Sequence, residues 1–118
     1  MRREHLYLQD IREACDMMQA FLEGMDAAAF LASELHKAAT LQKLPVIGAA
    51  AAHLSQAFRE VDPQGEWRDI VAFRTIAVHA DVAVQWDIVW ATATDEVPVL
   101  RRQVLAILQT ENLEQPEL

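Results

Sequence analysis

Hydrophobic residues recur every three to four positions along most of this chain, which is the spacing of amphipathic α-helices. A first helix is predicted over about Arg3 to Gly24, with acidic residues between its apolar positions Leu8, Ile11, Cys15, Met18, Leu22 and Met25. A stripe of this kind buries one face of a helix against a core. Gly24 is a candidate C-cap, and Asp26 is a candidate N-cap for a short second helix over Ala27 to Leu31.

A long third helix is predicted to open at Ser33. Its apolar stripe consists of Leu41, Leu44, Ile47, Ala51, Leu54 and Phe58. Pro45 lies inside this stripe and lacks a backbone N–H, so we expect it to kink the helix or divide it in two. Gly48 to Ala52 has almost no side-chain bulk, and another helix can approach closely there.

The second half of the chain adds two more helices. Asp62-Pro63-Gln64-Gly65 predicts a turn, and a fourth helix follows from about Trp67 to Val78. The last helix is predicted from about Trp86 to Thr110, with Pro98 bending or dividing it. The chain is therefore expected to be all-α, an antiparallel four- to five-helix bundle over residues 1–110 with a loose acidic C-terminal tail over residues 111–118.

Composition supports one globular domain. Of 118 residues, 53% are hydrophobic and 24% are charged, which excludes a disordered polyelectrolyte. The single cysteine, Cys15, excludes an internal disulfide framework. No apolar run approaches the ~20 residues of a membrane-spanning helix, and the N-terminus lacks an apolar signal core, so we expect a cytoplasmic protein without membrane attachment.

The charge pattern restricts the ligands that the protein can hold. With 18 acidic and 10 basic residues, the net charge of −8 argues against a long basic groove for nucleic acid and leaves a local phosphate site open. The four histidines, His5, His36, His53 and His79, are scattered without metal-ligand spacing. We therefore expect no metal and no cofactor.

Arg74 and His79 form the pair with the clearest chemical potential. Residues five apart on a continuous helix differ by about 140° in azimuth, so the two side chains converge only where the helix ends, near His79. An imidazole that titrates near neutrality beside a guanidinium suits metal-free cleavage of a phosphodiester. A structural histidine at a helix end, with the arginine bound to a nearby carboxylate, is the alternative.

The string from Phe73 to Asp81 resembles the signature of the HEPN superfamily, in particular its HepT-like branch. In that signature an arginine is followed by a residue that is usually asparagine, then by three further residues, a histidine, any residue and a tyrosine. Arg74 and His79 match the arginine and the histidine with the right spacing. The surroundings are also similar, and the resemblance covers about Arg3 to Thr110. The matching stretches are Leu41 to Leu44, Val46 to Gly48, Trp67 to Val71, and Trp86-Asp87.

The resemblance implies a helical homodimer in which two motifs face each other across a cleft. It also implies a metal-independent endoribonuclease that acts on RNA, the toxin of a type VII-like toxin–antitoxin system. Its antitoxin partner would be a minimal nucleotidyltransferase, which silences some family members by adding AMP to the motif tyrosine. By this analogy His79 would act in acid–base steps on the ribose 2′-hydroxyl and the leaving oxygen, and Arg74 would hold the scissile phosphate.

The chain departs from the family pattern at three positions. Asp81 replaces the motif tyrosine, Thr75 replaces the common asparagine, and Ala49 replaces an acidic residue after the long-helix glycine. Because Asp81 has no phenol, we expect no AMP transfer at the motif. Two functions follow: a HepT-like ribonuclease toxin with full, weakened or lost activity, or a non-catalytic helical module for dimerisation and partner binding.

Apolar surface supports the homodimer. Trp86, Trp90, the small residues from Gly48 to Ala52, Val97 and Leu100 offer more apolar surface than one bundle of this length easily covers. We expect a symmetric interface near the fourth helix, since one Arg–His pair per chain supplies half of an acid–base site.

Overall fold

Helices account for all the regular structure in the part of the chain that the computed structural model describes, residues 2–54, Ile70 and residues 84–114. These are α1 (Arg2–Leu22), α2 (Ala27–Leu31), α3 (Glu34–Ala52), α4 (Trp86–Ala91), a π-helical turn (Thr92–Glu96) and α5 (Val97–Glu114). The all-α prediction is confirmed. The predicted turn at 62–65 and the predicted helix at 67–78 lie outside the described residues, except that Ile70 is helical and buried.

The boundaries between the first three helices follow local side-chain chemistry. Gly24 takes a φ of +79°, a conformation that L side chains rarely adopt, directly after α1. The Asp26 carboxylate accepts a hydrogen bond from the backbone N–H of Ala29 at 2.8 Å and caps α2. The Ser33 hydroxyl accepts from the N–H of His36 at 3.2 Å and caps α3. Each cap satisfies a donor that the first turn of a helix leaves unpaired, and all three boundaries match the sequence prediction.

Helix α1 packs along both α3 and α5 and organises the core. Its buried apolar positions are Leu8, Ile11, Cys15, Met18 and Leu22, the predicted stripe. Tyr7, early in α1, stacks on His53 at the end of α3. Asp16, later in α1, bonds to Arg101 of α5, and the end of α1 lies against the π-helical turn that precedes α5. Both neighbours therefore run antiparallel to α1, as predicted.

Pro45 does not divide α3, so of the two expected effects, a kink or a division, the division does not occur. The helix is continuous from Glu34 to Ala52 with Pro45 inside it. Leu44 and Ile47, on either side of the proline, are fully buried in the core. Burial of both flanking turns offsets the loss of one backbone hydrogen bond.

Pro98 acts differently, because a π-helical turn precedes it. Pro98 cannot donate to the carbonyl of Thr94, and its ring crowds that carbonyl. The wider turn over Thr92–Glu96 accommodates the ring, and the Thr94 hydroxyl donates to the carbonyl of Trp90 at 2.8 Å. At Pro98, where the sequence predicted a bend or a division, the structure shows a local widening within one helical run from Trp86 to Glu114.

Two further expectations require correction. Helix α5 ends at Glu114 rather than near Thr110, so the first four residues of the predicted loose tail, 111–114, are helical. Gly48, Ala50, Ala51, Val97 and Leu100 are buried within a single subunit. These five residues therefore offer no spare apolar surface for a dimer.

Candidate functional site

The predicted catalytic residues Arg74 and His79, with Thr75 and Asp81, lie outside the described residues and remain predictions. Their segment is flanked by Leu54 and Val84, which are respectively buried in the core and packed against it. Leu54 follows His53, which stacks on Tyr7 near the start of α1, whereas Val84 comes shortly before Trp86, which contacts Phe30 of α2. Ala49, the third departure from the family pattern, is exposed on α3.

An aromatic cluster anchors the chain directly after the motif. Phe30 of α2 contacts Trp86 and Trp90 of α4, with ring centroids 6.3 and 5.1 Å apart. The Lys37 ammonium lies 5.1 Å from the centroid of the Trp86 ring and 3.3 Å from the Glu34 carboxylate. Both tryptophans are partly buried and pack against the core, and this packing fixes the start of α4 five residues after Asp81.

A polar cluster joins α1 to α5 in the middle of the bundle. The Asp16 carboxylate accepts from Arg12 Nη1 at 3.2 Å and from Nε of Arg101, and Arg12 Nη2 donates to Gln9 Oε1 at 3.1 Å. The side chains of Arg12, Asp16 and Arg101 are 34, 37 and 32% exposed, so two guanidinium groups converge on one carboxylate within reach of solvent. Sequence reasoning missed this cluster. Only Arg12 and Asp16 carry a local signal, the i,i+4 spacing, because Arg101 lies 85 residues from Asp16.

A groove of about 430 Å³ opens to solvent one helical turn away from this cluster. Its surface is largely apolar. The lining residues are Gln19, Ala20, Leu22 and Glu23 of α1, Ala93 and Thr94 of the π-helical turn, and Pro98 of α5. Sequence reasoning missed the groove as well, since it depends on the docking of α1 against the widened turn.

Cys15 is buried beneath the polar cluster and is not a candidate nucleophile. Burial, and secondarily the negative charge of Asp16, raise the pKa of the Cys15 thiol from 9.0 to about 12, while the Arg101 charge opposes the shift. The thiol is therefore protonated at neutral pH, whereas a reactive cysteine must be a thiolate.

Neither a metal site nor a membrane span is found in the described part of the chain. Over residues 2–54, 70 and 84–114, no three His, Cys, Asp or Glu side chains are grouped so that they could hold a metal ion. Within the same ranges no helix combines the length and apolar character needed to cross a membrane.

Comparison with known proteins places these features in a family. The sequence profile described as "Ribonuclease HepT-like" matches residues 11–107. An inferred RNase of Caldanaerobacter subterraneus subsp. tengcongensis is 30% identical over 111 residues, covering 94% of this chain and 99% of the relative. An inferred ribonuclease HepT of Thermococcus cleftensis is 28% identical over 86% of this chain and 93% of its own length. An inferred RNase of Methanocaldococcus jannaschii is 26% identical over 83% of this chain and 90% of its own length. No solved structure matches significantly.

Proposed function

The chain belongs to the Ribonuclease HepT-like family, and we propose that it is a metal-independent endoribonuclease, the toxin of a toxin–antitoxin pair. The observation that carries the proposal is the family match over residues 11–107, which includes Arg74 and His79 with the family spacing. The relatives named as ribonucleases align over most of this chain, which supports the same activity here.

Catalysis is assigned to His79 and Arg74. The imidazole of His79 removes the proton from a ribose 2′-hydroxyl, whose oxygen attacks the adjacent phosphorus. The bond from phosphorus to the 5′-oxygen breaks, and a protonated histidine returns a proton to that leaving oxygen. Arg74 holds the phosphate and offsets the negative charge that develops on its oxygens.

A homodimer completes this site in our proposal. Each chain supplies one Arg–His pair, and two histidines, one neutral and one protonated, can share the two proton transfers across a symmetric interface. Among the described residues, Leu35 and Ile88 are large apolar side chains with 75 and 53% exposure, and such surface favours association. Light scattering at micromolar concentration is expected to give twice the chain mass of 13.3 kDa, and a monomer mass would contradict the dimer.

We propose the cytoplasm as the location and, on the family resemblance, a minimal nucleotidyltransferase as the antitoxin partner. Because Asp81 has no phenolic hydroxyl, a cognate nucleotidyltransferase with ATP is expected to add no AMP at this position. Intact-mass and peptide mass spectrometry test this expectation. A stoichiometric mass gain mapped to Asp81 would refute it.

The decisive experiment is cleavage of a labelled single-stranded RNA pool in EDTA. His79→Ala is expected to lower the rate by about 10²–10⁴-fold through loss of proton transfer, and Arg74→Ala to lower it through loss of phosphate positioning. Asp81→Tyr is expected to raise it by removing a negative charge near the phosphate. His53→Ala removes an exposed histidine outside the motif and serves as the matched control. Equal cleavage by the parent and His79→Ala, or loss of activity in EDTA, would show that the assignment is wrong.

The second candidate is a non-catalytic interaction module. Asp81, Thr75 and Ala49 favour it, because each replaces a polar residue of the family pattern while the helical core is retained. This candidate predicts a stable dimer that binds its partner and cleaves no RNA, even after Asp81→Tyr.

A further inference from the structure

The polar cluster and the groove lie on one continuous strip between α1 and α5, which we call the α1–α5 seam. On α1, Asp16, Gln19, Ala20 and Glu23 follow one another at steps of three, one and three, so they share a helix face. On α5, Pro98 and Arg101 are three residues apart and also share a face. About one helical turn of 5.4 Å therefore separates Asp16 and Arg101 from the apolar groove, and Arg12 begins one turn further along α1 with its guanidinium directed to Asp16.

Charge at one end of the seam suits a phosphate. Within this cluster, Arg12 and Arg101 bring two positive charges to the single negative charge of Asp16, in a chain of net charge −8. Arg101 donates to Asp16 through Nε, so its two Nη groups can face a second acceptor. A planar pair of Nη donors matches two oxygens of a phosphate.

The groove at the other end suits a nucleobase. Its volume of about 430 Å³ lies in the range of small-molecule sites, and its walls present the apolar surfaces of Ala20, Ala93 and Pro98. Gln19 and Thr94 add polar groups at its edge. Glu23 places a negative charge on the groove lining at the end farther from the guanidinium groups, which favours a phosphate at the Arg101 end.

We propose that the α1–α5 seam binds one nucleotide of single-stranded RNA, with the phosphate on Arg101 and Arg12 and the base in the groove. This inference rests on the proposed ribonuclease function, because it adds a substrate-binding subsite away from Arg74 and His79. The π-helical turn before Pro98 supplies two of the groove residues, so the seam needs the widened turn. The Asp16 carboxylate holds both guanidinium groups in place before RNA arrives.

The test measures binding of a short fluorescent single-stranded RNA, in EDTA and in a His79→Ala background so that the probe remains intact. Arg101→Gln is expected to weaken binding about 5- to 10-fold and to lower the slope of log affinity against log salt by about 0.7. Arg102→Gln removes the same charge one residue away on an exposed side chain and is expected to change affinity less than twofold. Equal losses in the two variants would overturn the phosphate assignment.

A second variant tests the groove without touching the charges. Ala20→Phe fills the groove from an exposed helix position, and we expect it to weaken RNA binding about fivefold or more without lowering the melting temperature. Ala38→Phe, at an exposed alanine of α3, is the matched control and is expected to bind as the parent does. Unchanged affinity in Ala20→Phe would overturn the base assignment.

The outcomes separate this inference from the proposed function. If the native chain cleaves RNA in EDTA while Arg101→Gln and Ala20→Phe bind like the parent, the subsite is refuted and the ribonuclease assignment stands. If the two variants lose affinity while native protein cleaves nothing, the subsite stands and the catalytic assignment fails. Absence of RNA binding, or equally tight binding of free AMP through the same residues, would refute the subsite as an RNA site.

Discussion

Helix α1 meets its two long neighbours in opposite ways. Against α3 it shares its more extensive contact, and both helices contribute fully buried aliphatic side chains, such as Ile11 and Leu44, to one hydrophobic core. Against α5 it shares a partly exposed ion cluster, and the seam then opens into a groove. The first contact stabilises the fold through burial of apolar area. The second is weakly stabilising and accessible, which is what a ligand-binding surface requires.

The largest expected effect on stability lies on the α3 side. Leu44→Ala removes a fully buried side chain and is expected to lower the free energy of unfolding by about 2–5 kcal/mol. Val46→Ala, two residues away and exposed, is the control, with an expected loss below about 1 kcal/mol. Urea unfolding followed by circular dichroism measures both. Similar losses in the two variants would contradict the view that the α1–α3 contact dominates the core.

The free energy of unfolding is expected to depend on pH through Cys15, which is buried in the core and adjacent in sequence to Asp16 of the α1–α5 seam. Its pKa is 9.0 in an ordinary setting and about 12 when folded, so above pH 9.0 the unfolded chain releases this proton while the folded chain retains it. The contribution of the Cys15 thiol to the free energy of unfolding is fully present below pH 9.0. It is lost at roughly 1.4 kcal/mol per pH unit as the pH rises toward about 12.

Comparison with Cys15→Ala isolates the contribution of the thiol, because every other titratable group is the same in both proteins. The measurement is the dependence of unfolding free energy on pH rather than its absolute value. Identical slopes for the parent and the variant would show that the thiol is not protected by burial. In the same samples the native thiol is expected to react with Ellman's reagent only after unfolding.

Thr40 of α3 provides a second test of packing in the core. Its side chain is fully buried, and its hydroxyl oxygen has no hydrogen-bond partner among the residues that the structure describes. Thr40→Val keeps the shape and removes the unpaired polar group, so we expect a gain of about 1 kcal/mol in the free energy of unfolding. Thr40→Ser, which retains the hydroxyl and loses a methyl group, is expected to be less stable than the parent. A destabilised valine variant would indicate that the hydroxyl has a partner in solution.

The smallest stability effect is expected on the seam. Arg101→Gln breaks one of two ion pairs to Asp16 at a site about one-third exposed, and solvent screening limits the loss to about 1 kcal/mol or less. The same substitution is expected to weaken RNA binding clearly, so the free energy of unfolding and the RNA affinity respond to it differently. A loss of unfolding free energy as large as that of Leu44→Ala would identify Arg101 as a structural residue. The two faces of α1 would then not differ in their contribution to stability.

Much of the fold was predictable from sequence because its determinants are local. The stripe from Leu8 to Leu22, the caps at Asp26 and Ser33, and the positive φ of Gly24 depend on residues within a few positions of one another. The candidate catalytic pair, Arg74 and His79, was also found from sequence, since a short motif with fixed spacing carries the resemblance. The seam was not, because its two halves are distant in sequence.

The sequence by itself thus determined the helices, their caps, their buried faces and membership of the ribonuclease family. Only the tertiary structure decided that Asp16 bonds to Arg101, that α3 continues through Pro45, and that the turn before Pro98 widens to line a groove. The physical reason is the range of the interactions. Helix periodicity and capping act over three or four residues, whereas docking one helix on another selects among pairings that no local pattern distinguishes.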